Sequence, residues 1–396
     1  MTTRLSLDEP AGTPRRGTAL FALGFRPFYL LASTFAALSV PLWALQFAGV
    51  LRHPYLAGPI WHAHEMLFGF ALAVVVGFLY TAGRNWTGLP TPTGWPLGAL
   101  AALWIAGRIL VLTPWSWAAA AANVAFPLAA AVGLAVPMLA ARNRRNYFFV
   151  VLLASLGLAA GVVHLAQLQV LAIPARLGLG IGLDLLLFIV AVMGGRVIPM
   201  FTNNGVAGAS AARDPIVEKA ALGSVLALLA VDALGGNGWL TAVVAAAAAF
   251  AHTWRWIKWQ PWKTLGVPLV WVLQIGYAWV PLHLLLRSLA ALGVVAPSLA
   301  THALTVGAAG ALVLGMMTRT AKGHTGRPLV ADRYETACYV LVLLAAVVRV
   351  GVPLVTPEAT VAAVLGSAVA WSAAFGLYAV RYWPILSRPR VDGRPG

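Results

Sequence analysis

"WHAHEMLFGFALAVVVGFLYTA", Trp61 to Ala82, is an apolar run that carries His62, His64 and Glu65 at its head and no other charged or imidazole side chain. About 20 apolar residues cross the hydrocarbon of a bilayer, so this stretch reads as one transmembrane helix. Working outward, eleven further stretches qualify: residues 28–49, 96–112, 117–139, 147–171, 176–197, 216–233, 239–256, 265–289, 299–317, 334–353 and 359–382. With 61% hydrophobic and 10% charged residues, the chain cannot cover a globule with a polar shell. The expectation is an all-α polytopic membrane bundle of twelve helices forming a single integral domain over residues 1–396. Residues 1–27 and 385–396 read as short tails, and no loop is long enough to hold a further domain.

Cationic loops stay cytoplasmic. With the N-terminus inside, only Arg52, Arg108, Arg176, Arg287 and Arg349 of the 27 Lys and Arg fall on the outer side. That asymmetry predicts both termini in the cytoplasm and an even number of helices. It also accounts for the net charge of +16, so nucleic-acid binding is set aside and membrane lipids are the expected polar surroundings. "WRWIKWQPWK", Trp254 to Lys263, reads as an interfacial anchor. Asp8, Glu9 and Pro10 mark the first residues as a tail and not a cleaved signal. The lone Cys338 excludes an intramolecular disulfide, a thiolate iron–sulfur cluster and a Cys-x-x-Cys haem attachment.

Five of the eight histidines share the outer leaflet: His62 and His64 on the second helix, His164 on the fifth, His283 on the ninth and His302 on the tenth. His53 falls in an outer loop, while His252 and His324 lie toward the inner side. One membrane histidine often does no more than bond a neighbouring helix; five at one depth call for a common account. At about 100° per residue, His62 shares a face with Glu65, Met66, Gly69, Ala73 and Gly77, and His64 points roughly 160° away. The pair therefore addresses two partners. Gly307, Gly310 and Gly315 beneath His302 suggest room for a flat ligand, or else close helix packing. Imidazole suits iron and copper, so haem b and then copper, or a second iron, are the expected cofactors. His62 and His302 are the expected haem ligands, with Arg108, Arg287 and Arg349 as partners for propionates. His64, His164 and His283 are the expected ligands of the second metal. Glu65 and the mid-span Asp184 are candidate proton carriers, each with a plain alternative as a hydrogen-bonding partner.

An offset of about 240 positions aligns His62 with His302, and both helices run inward to Gly-rich turns, "GRNWTG" (Gly83 to Gly88) and "GHTGR" (Gly323 to Arg327). The sixth helix exits into "GGRVIPMFTNNG", Gly194 to Gly205, so helices two, six and ten hint at three four-helix units. Arg26, Arg196, Asn203, Asn204, Arg319, Lys322, His324 and Arg327 gather at the inner ends of helices one, six and ten. Locking those ends is their first reading, with an anionic group as the alternative.

"GFRPFYL" (Gly24 to Leu30), "WHAHEMLFGF", "GGRVIPMFTNN" and "MTRTAKGHTGRPL" (Met317 to Leu329), in this order across nearly the whole chain, resemble the NnrS family of bacterial membrane proteins. The architecture is also similar to the haem-copper oxidase superfamily, where a haem sits between the second and tenth of twelve helices. The NnrS resemblance implies haem and copper in an inner-membrane protein linked to nitric oxide and nitrosative stress. The expected activity is consumption of NO, by reduction to N2O with electrons from a quinol or a redox protein. The alternatives are a transporter of a small metal-linked species and a haem-based sensor or assembly factor without turnover. The transporter is disfavoured because little ionisable material lies at mid-depth, where carriers hold their substrates.

Overall fold

A computed structural model of the chain describes residues 17–51, 55, 56, 58–236 and 238–394. The tail residues Arg4, Asp8, Glu9, Pro10, Arg15 and Arg16 and the loop residues Arg52 and His53 lie outside them. Among the described residues there are helices and no strands. They form twelve rods: α1 Phe25–Phe47, α2 Gly58–Thr87, α3 Trp95–Leu110, α4 Ser116–Ala140, α5 Phe148–Gln167 and α6 Ala175–Gly205. The second half comprises α7 Pro215–Ala233, α8 Gly238–Ile257, α9 Pro268–Ala291, α10 Pro297–His324, α11 Arg333–Val355 and α12 Thr360–Ser387.

Each rod matches one of the apolar stretches. Nine of them, among the described residues, are long and apolar enough to cross a membrane. The exceptions are α3, α7 and α8. At 16 residues, α3 spans only about 24 Å at 1.5 Å per residue, and α7 carries Glu218, Lys219 and Asp232.

Two ends differ from the sequence reading. Helix α1 starts at Phe25 and not at Phe28, with Arg26 fully buried because its guanidinium caps the end of α12, donating to Leu386 O at 2.9 Å and Arg388 O at 2.8 Å. The C-terminal segment is folded back onto the bundle and is no free tail. Val391 N bonds Thr325 O at 3.1 Å, Arg390 Nη1 bonds His324 O at 3.1 Å, and Arg390 pairs with Asp392. This Arg390 contact holds the Asp392 carboxyl well below its ordinary value, at about 2.

Consecutive helices pack on one another, and α12 lies along α1 to close the ring. One contiguous apolar core runs from Leu23 to Leu386. Helix α2 packs against both α6 and α10 inside this ring. Both α2 and α10 widen into a π-helical turn just after their histidines, over Glu65–Ala71 and Ala303–Gly310. Such turns expose carbonyls and concentrate at functional sites. The turn in α2 is braced by α3, whose Trp104 Nε1 donates to Gly69 O at 3.0 Å. The two wide turns fall at the offset that aligns His62 with His302, so the internal echo extends to backbone geometry.

Candidate functional site

Two imidazole pairs leave α2 in different directions. His62 faces His302 of α10, with nearly parallel rings whose centroids are 6.3 Å apart and whose planes differ by 13°. Trp43 of α1 stacks on the other side of His62 at 4.9 Å. His302 Nδ1 lies 2.6 Å from Ser298 O; a carbonyl only accepts, so Nδ1 carries the proton and Nε2 keeps its lone pair. That second bond is the usual way a ligand histidine is oriented. The pair lines a cavity of ≈ 390 Å³ walled by Trp43, Met66, Phe70, Leu183 and Trp371, with the Arg349 guanidinium on its wall. The residues therefore fit a metallomacrocycle: two imidazoles, an apolar chamber and one cation for an acidic substituent.

The chamber is not made by the glycines beneath His302. A Cβ on Gly307 would overlap Trp279, one on Gly310 would lie 2.7 Å from Trp371, and one on Gly315 would lie 2.7 Å from Leu273. Close helix packing accounts for all three. The space comes from Ala63, Ala71, Thr305 and Ala309.

His64 meets His164 of α5, Nε2 to Nε2, at 3.1 Å, with both residues fully buried. Its Nδ1 lies 2.8 Å from Glu65 Oε1, which also accepts from Arg108 Nη1 at 2.6 Å. Glu65 thus belongs with His64, contrary to the expected shared face with His62, because Arg108 on α3 draws the carboxylate to that side and the wide turn begins at this residue. Arg108 is held further by the Asn123 side-chain oxygen, and Asn123 Nδ2 is anchored on Ala119 O at 2.8 Å. Gly69 is obligatory here, since a Cβ would come within 2.5 Å of Arg108 Nη1. Tyr55 OH completes the row at 2.8 Å from His164 Nδ1. An ionised Glu65 only accepts, so His64 Nδ1 is the donor and its Nε2 lone pair faces His164. That pair can share a proton, or bind one soft or borderline metal ion. Glu65 Oε2 is buried with no hydrogen-bond partner.

His283 does not join this pair. Its Nδ1 donates to Ala300 O at 2.7 Å, and its buried Nε2 is unpartnered. Beside it, Arg287 bonds Asp184 Oδ1 at 2.5 Å and also pairs with Asp232 at the end of α7. Asp184 is 1% exposed and its Oδ2 has no partner. Among the described residues no three His, Cys, Asp or Glu side chains form a metal-holding group, so the structure offers imidazole pairs where a three-histidine site was expected. Of the three arginines expected beside a haem, Arg349 lines the chamber, whereas Arg108 and Arg287 are committed to carboxylates.

A family model described as NnrS protein matches residues 19–390. The chain belongs to the NnrS family. No curated protein sequence matches it. Membership agrees with the long apolar helices in supporting a membrane protein.

The inner motifs of this NnrS chain are locks. Gly24 packs on Tyr80, and Gly77 packs on Phe28. Arg196 bonds Asn146 Oδ1 at 2.7 Å among Trp86, Phe148 and Phe149, while Asn203 closes a loop on both backbone atoms of Ala211. Arg319 lies 3.7 Å over the Phe201 ring. Lys322 pairs at 2.7 Å with Glu335, the third residue of the capping box that opens α11.

One inner cluster escaped the sequence reading. Arg255, taken there as an interfacial anchor, is 1% exposed and grips Glu218 through Nε and Nη2 at 2.7 and 2.5 Å. It also donates to Ala191 O and Tyr277 OH, and Tyr277 OH bonds His252 Nδ1 at 2.7 Å. Gly194 and Gly195 make the room: a Cβ on Gly195 would overlap Arg255 and lie 2.8 Å from Glu218 Oε2. The available signal was one acid, Glu218, and one base, Arg255, at matching depth on adjacent helices.

Proposed function

We propose that the protein is an NO-consuming oxidoreductase of the bacterial inner membrane, with twelve crossings and both termini in the cytoplasm. Its overall reaction is 2 NO + 2 electrons + 2 protons → N2O + H2O, with electrons from a quinol or a redox protein. The observation that supports it most is the pairing of imidazoles at one depth in a chain of the NnrS family. His62 pairs with His302, and His64 with His164. Because His62 and His64 are two residues apart, their Cα atoms differ by about 3 Å along the axis of α2.

In this reading His62 and His302 hold a haem b with Arg349 toward a propionate, and His64 and His164 hold copper or a second iron. Bound there, the haem, held by two imidazoles, would supply electron transfer, and the second metal, held by only two protein ligands, would supply the open positions that an NO ligand needs. The chain supplies the rest. An apolar chamber excludes water and admits an uncharged diatomic, and two sites on one helix turn encounter into proximity, which lowers the entropic part of the barrier. Glu65 Oε2, buried and unpartnered, is the atom at which a proton is held for delivery. Asp184 Oδ2 is a second such atom, the other oxygen of its carboxyl being held by Arg287, which also pairs with Asp232 at the end of α7. The cation of Arg108 keeps Glu65 in place and fixes the tautomer of His64.

The test is a reduced-minus-oxidised spectrum with metal analysis on purified full-length protein, followed by NO electrode traces with a chemical reductant. A haem spectrum, a second metal and NO loss that requires reductant are expected. Protein from cells amply supplied with haem and copper that contains neither, or that contains them and consumes no NO, overturns the proposal.

A further inference from the structure

Below the chamber lies a second cavity of ≈ 90 Å³ that shares Ala71, Leu186 and Ala309 with it. Those three residues come from α2, α6 and α10, the helices that the internal echo equates. The lower cavity continues along the same helices, past Val74 and Phe78 of α2, Ile189 and Met193 of α6, and Leu312 and Met316 of α10. Tyr29 of α1 contributes the single polar side chain of the lining.

Water needs two to four polar partners to occupy a cavity, and cavities lined by aliphatic and aromatic groups stay dry and take up apolar guests such as xenon. The lower space is too small for a macrocycle and holds no group that could neutralise a charge. An ion or a polar metabolite would lose its hydration there without compensation. A diatomic gas has almost no hydration to lose. The shared wall of two alanines and one leucine leaves the two spaces adjacent.

We propose that the lower cavity is a docking site for a small, uncharged, apolar gas molecule that exchanges with the His62–His302 chamber across the shared wall at Ala71, Leu186 and Ala309. The identity of that gas as NO rests on the proposed function; the docking site itself does not. A store of substrate beside the chamber raises the chance that a second molecule arrives while the first is held, which a reaction consuming two identical molecules requires.

Crystals of the full-length protein grown from lipid and pressurised with xenon test the site without turnover. Xenon density is expected in the lower cavity of the parent protein. It should be lost in Val313→Phe, whose added ring fills a wall that only the lower cavity uses, while any density in the upper chamber persists. If Val313→Phe fails to fold, Val190→Phe fills the same space from α6. Absence of xenon from the parent's lower cavity, an ordered water chain or a lipid or detergent tail occupying it, or unchanged xenon density in the filled variant would overturn the proposal. A protein that binds xenon there yet lacks haem or NO consumption would refute the proposed function and leave the gas site standing.

Discussion

Glu65→Gln separates two roles of one carboxylate. In the parent protein Glu65 is 1% exposed and Arg108 8% exposed, and the pair is joined at 2.6 Å. Removing one member of a buried ion pair costs about 3–5 kcal/mol, because the remaining charge keeps its desolvation penalty and loses its counterion. The amide introduced by Glu65→Gln would still offer an oxygen to Arg108 and His64, which places the expected loss at the lower end, about 3 kcal/mol. Arg108→Gln alone should cost a similar amount by stranding the carboxylate. The double variant Glu65→Gln/Arg108→Gln removes both charges and should recover at least half of the summed loss. Reversible unfolding in detergent, followed by tryptophan fluorescence, measures all four proteins. A strictly additive double variant, or a Glu65→Gln protein as stable as the parent, would refute the buried pair. The same samples report chemistry. Because Glu65 is bonded to His64 and not to His62, the haem spectrum should be unchanged in Glu65→Gln, while NO consumption slows if Oε2 carries the proton. A changed haem spectrum with retained second metal would reverse that assignment.

Replacing either His62 or His302 with Ala should abolish the haem spectrum at unchanged size-exclusion behaviour, and full haem occupancy in both variants would remove them as ligands. His64→Ala and His164→Ala should each release the second metal, whereas His283→Ala, outside that pair, should retain it; metal analysis of the three proteins decides. Gly195→Ala should lower the yield of folded protein sharply, since its methyl group collides with a guanidinium clamped by Glu218, and normal yield and thermal stability would show that the cluster yields cheaply. The Arg390–Asp392 contact depresses the acid to about 2, so its contribution is complete above the ordinary carboxyl pKa of about 4 and is lost as pH falls through about 2. The protection of the Val391 amide, its exchange rate relative to the intrinsic rate at the same pH, should therefore hold at pH 5 and fall between pH 4 and 2, and Arg390→Ala should remove that acid-dependent step.

The nine long apolar helices among the described residues were legible because bilayer hydrocarbon imposes a length and a composition that each segment declares alone. The helix ends were less legible. Arg26 reads from sequence as a tail residue that locks the inner helix ends, yet it is buried inside α1 because carbonyls of Leu386 and Arg388, some 360 positions away, accept from it. Arg255 misled for the same reason: a cation beside three tryptophans looks interfacial until Glu218 of the preceding helix is placed against it.

The site was legible in part. Depth along a helix follows from counting, so the gathering of His62, His64, His164, His283 and His302 near one face could be read from spacing. Azimuth could not, because the 100° rule assumes an unbroken α-helix, and α2 and α10 change pitch immediately after their histidines. Spacing put Glu65 with His62; Arg108 and the wide turn put it with His64. His283 turns toward Ala300 and the Asp184–Arg287 pair. Partner choice is set by which neighbouring helix brings a complementary group, and that depends on ring order around the bundle. The wide turns need a second helix to donate to their exposed carbonyls, as Trp104 Nε1 does to Gly69 O. A backbone irregularity of that kind persists only where tertiary contacts stabilise it, and here both instances on the central helices border the chamber. The feature that most obscured the site in the sequence is therefore also the one that opens it.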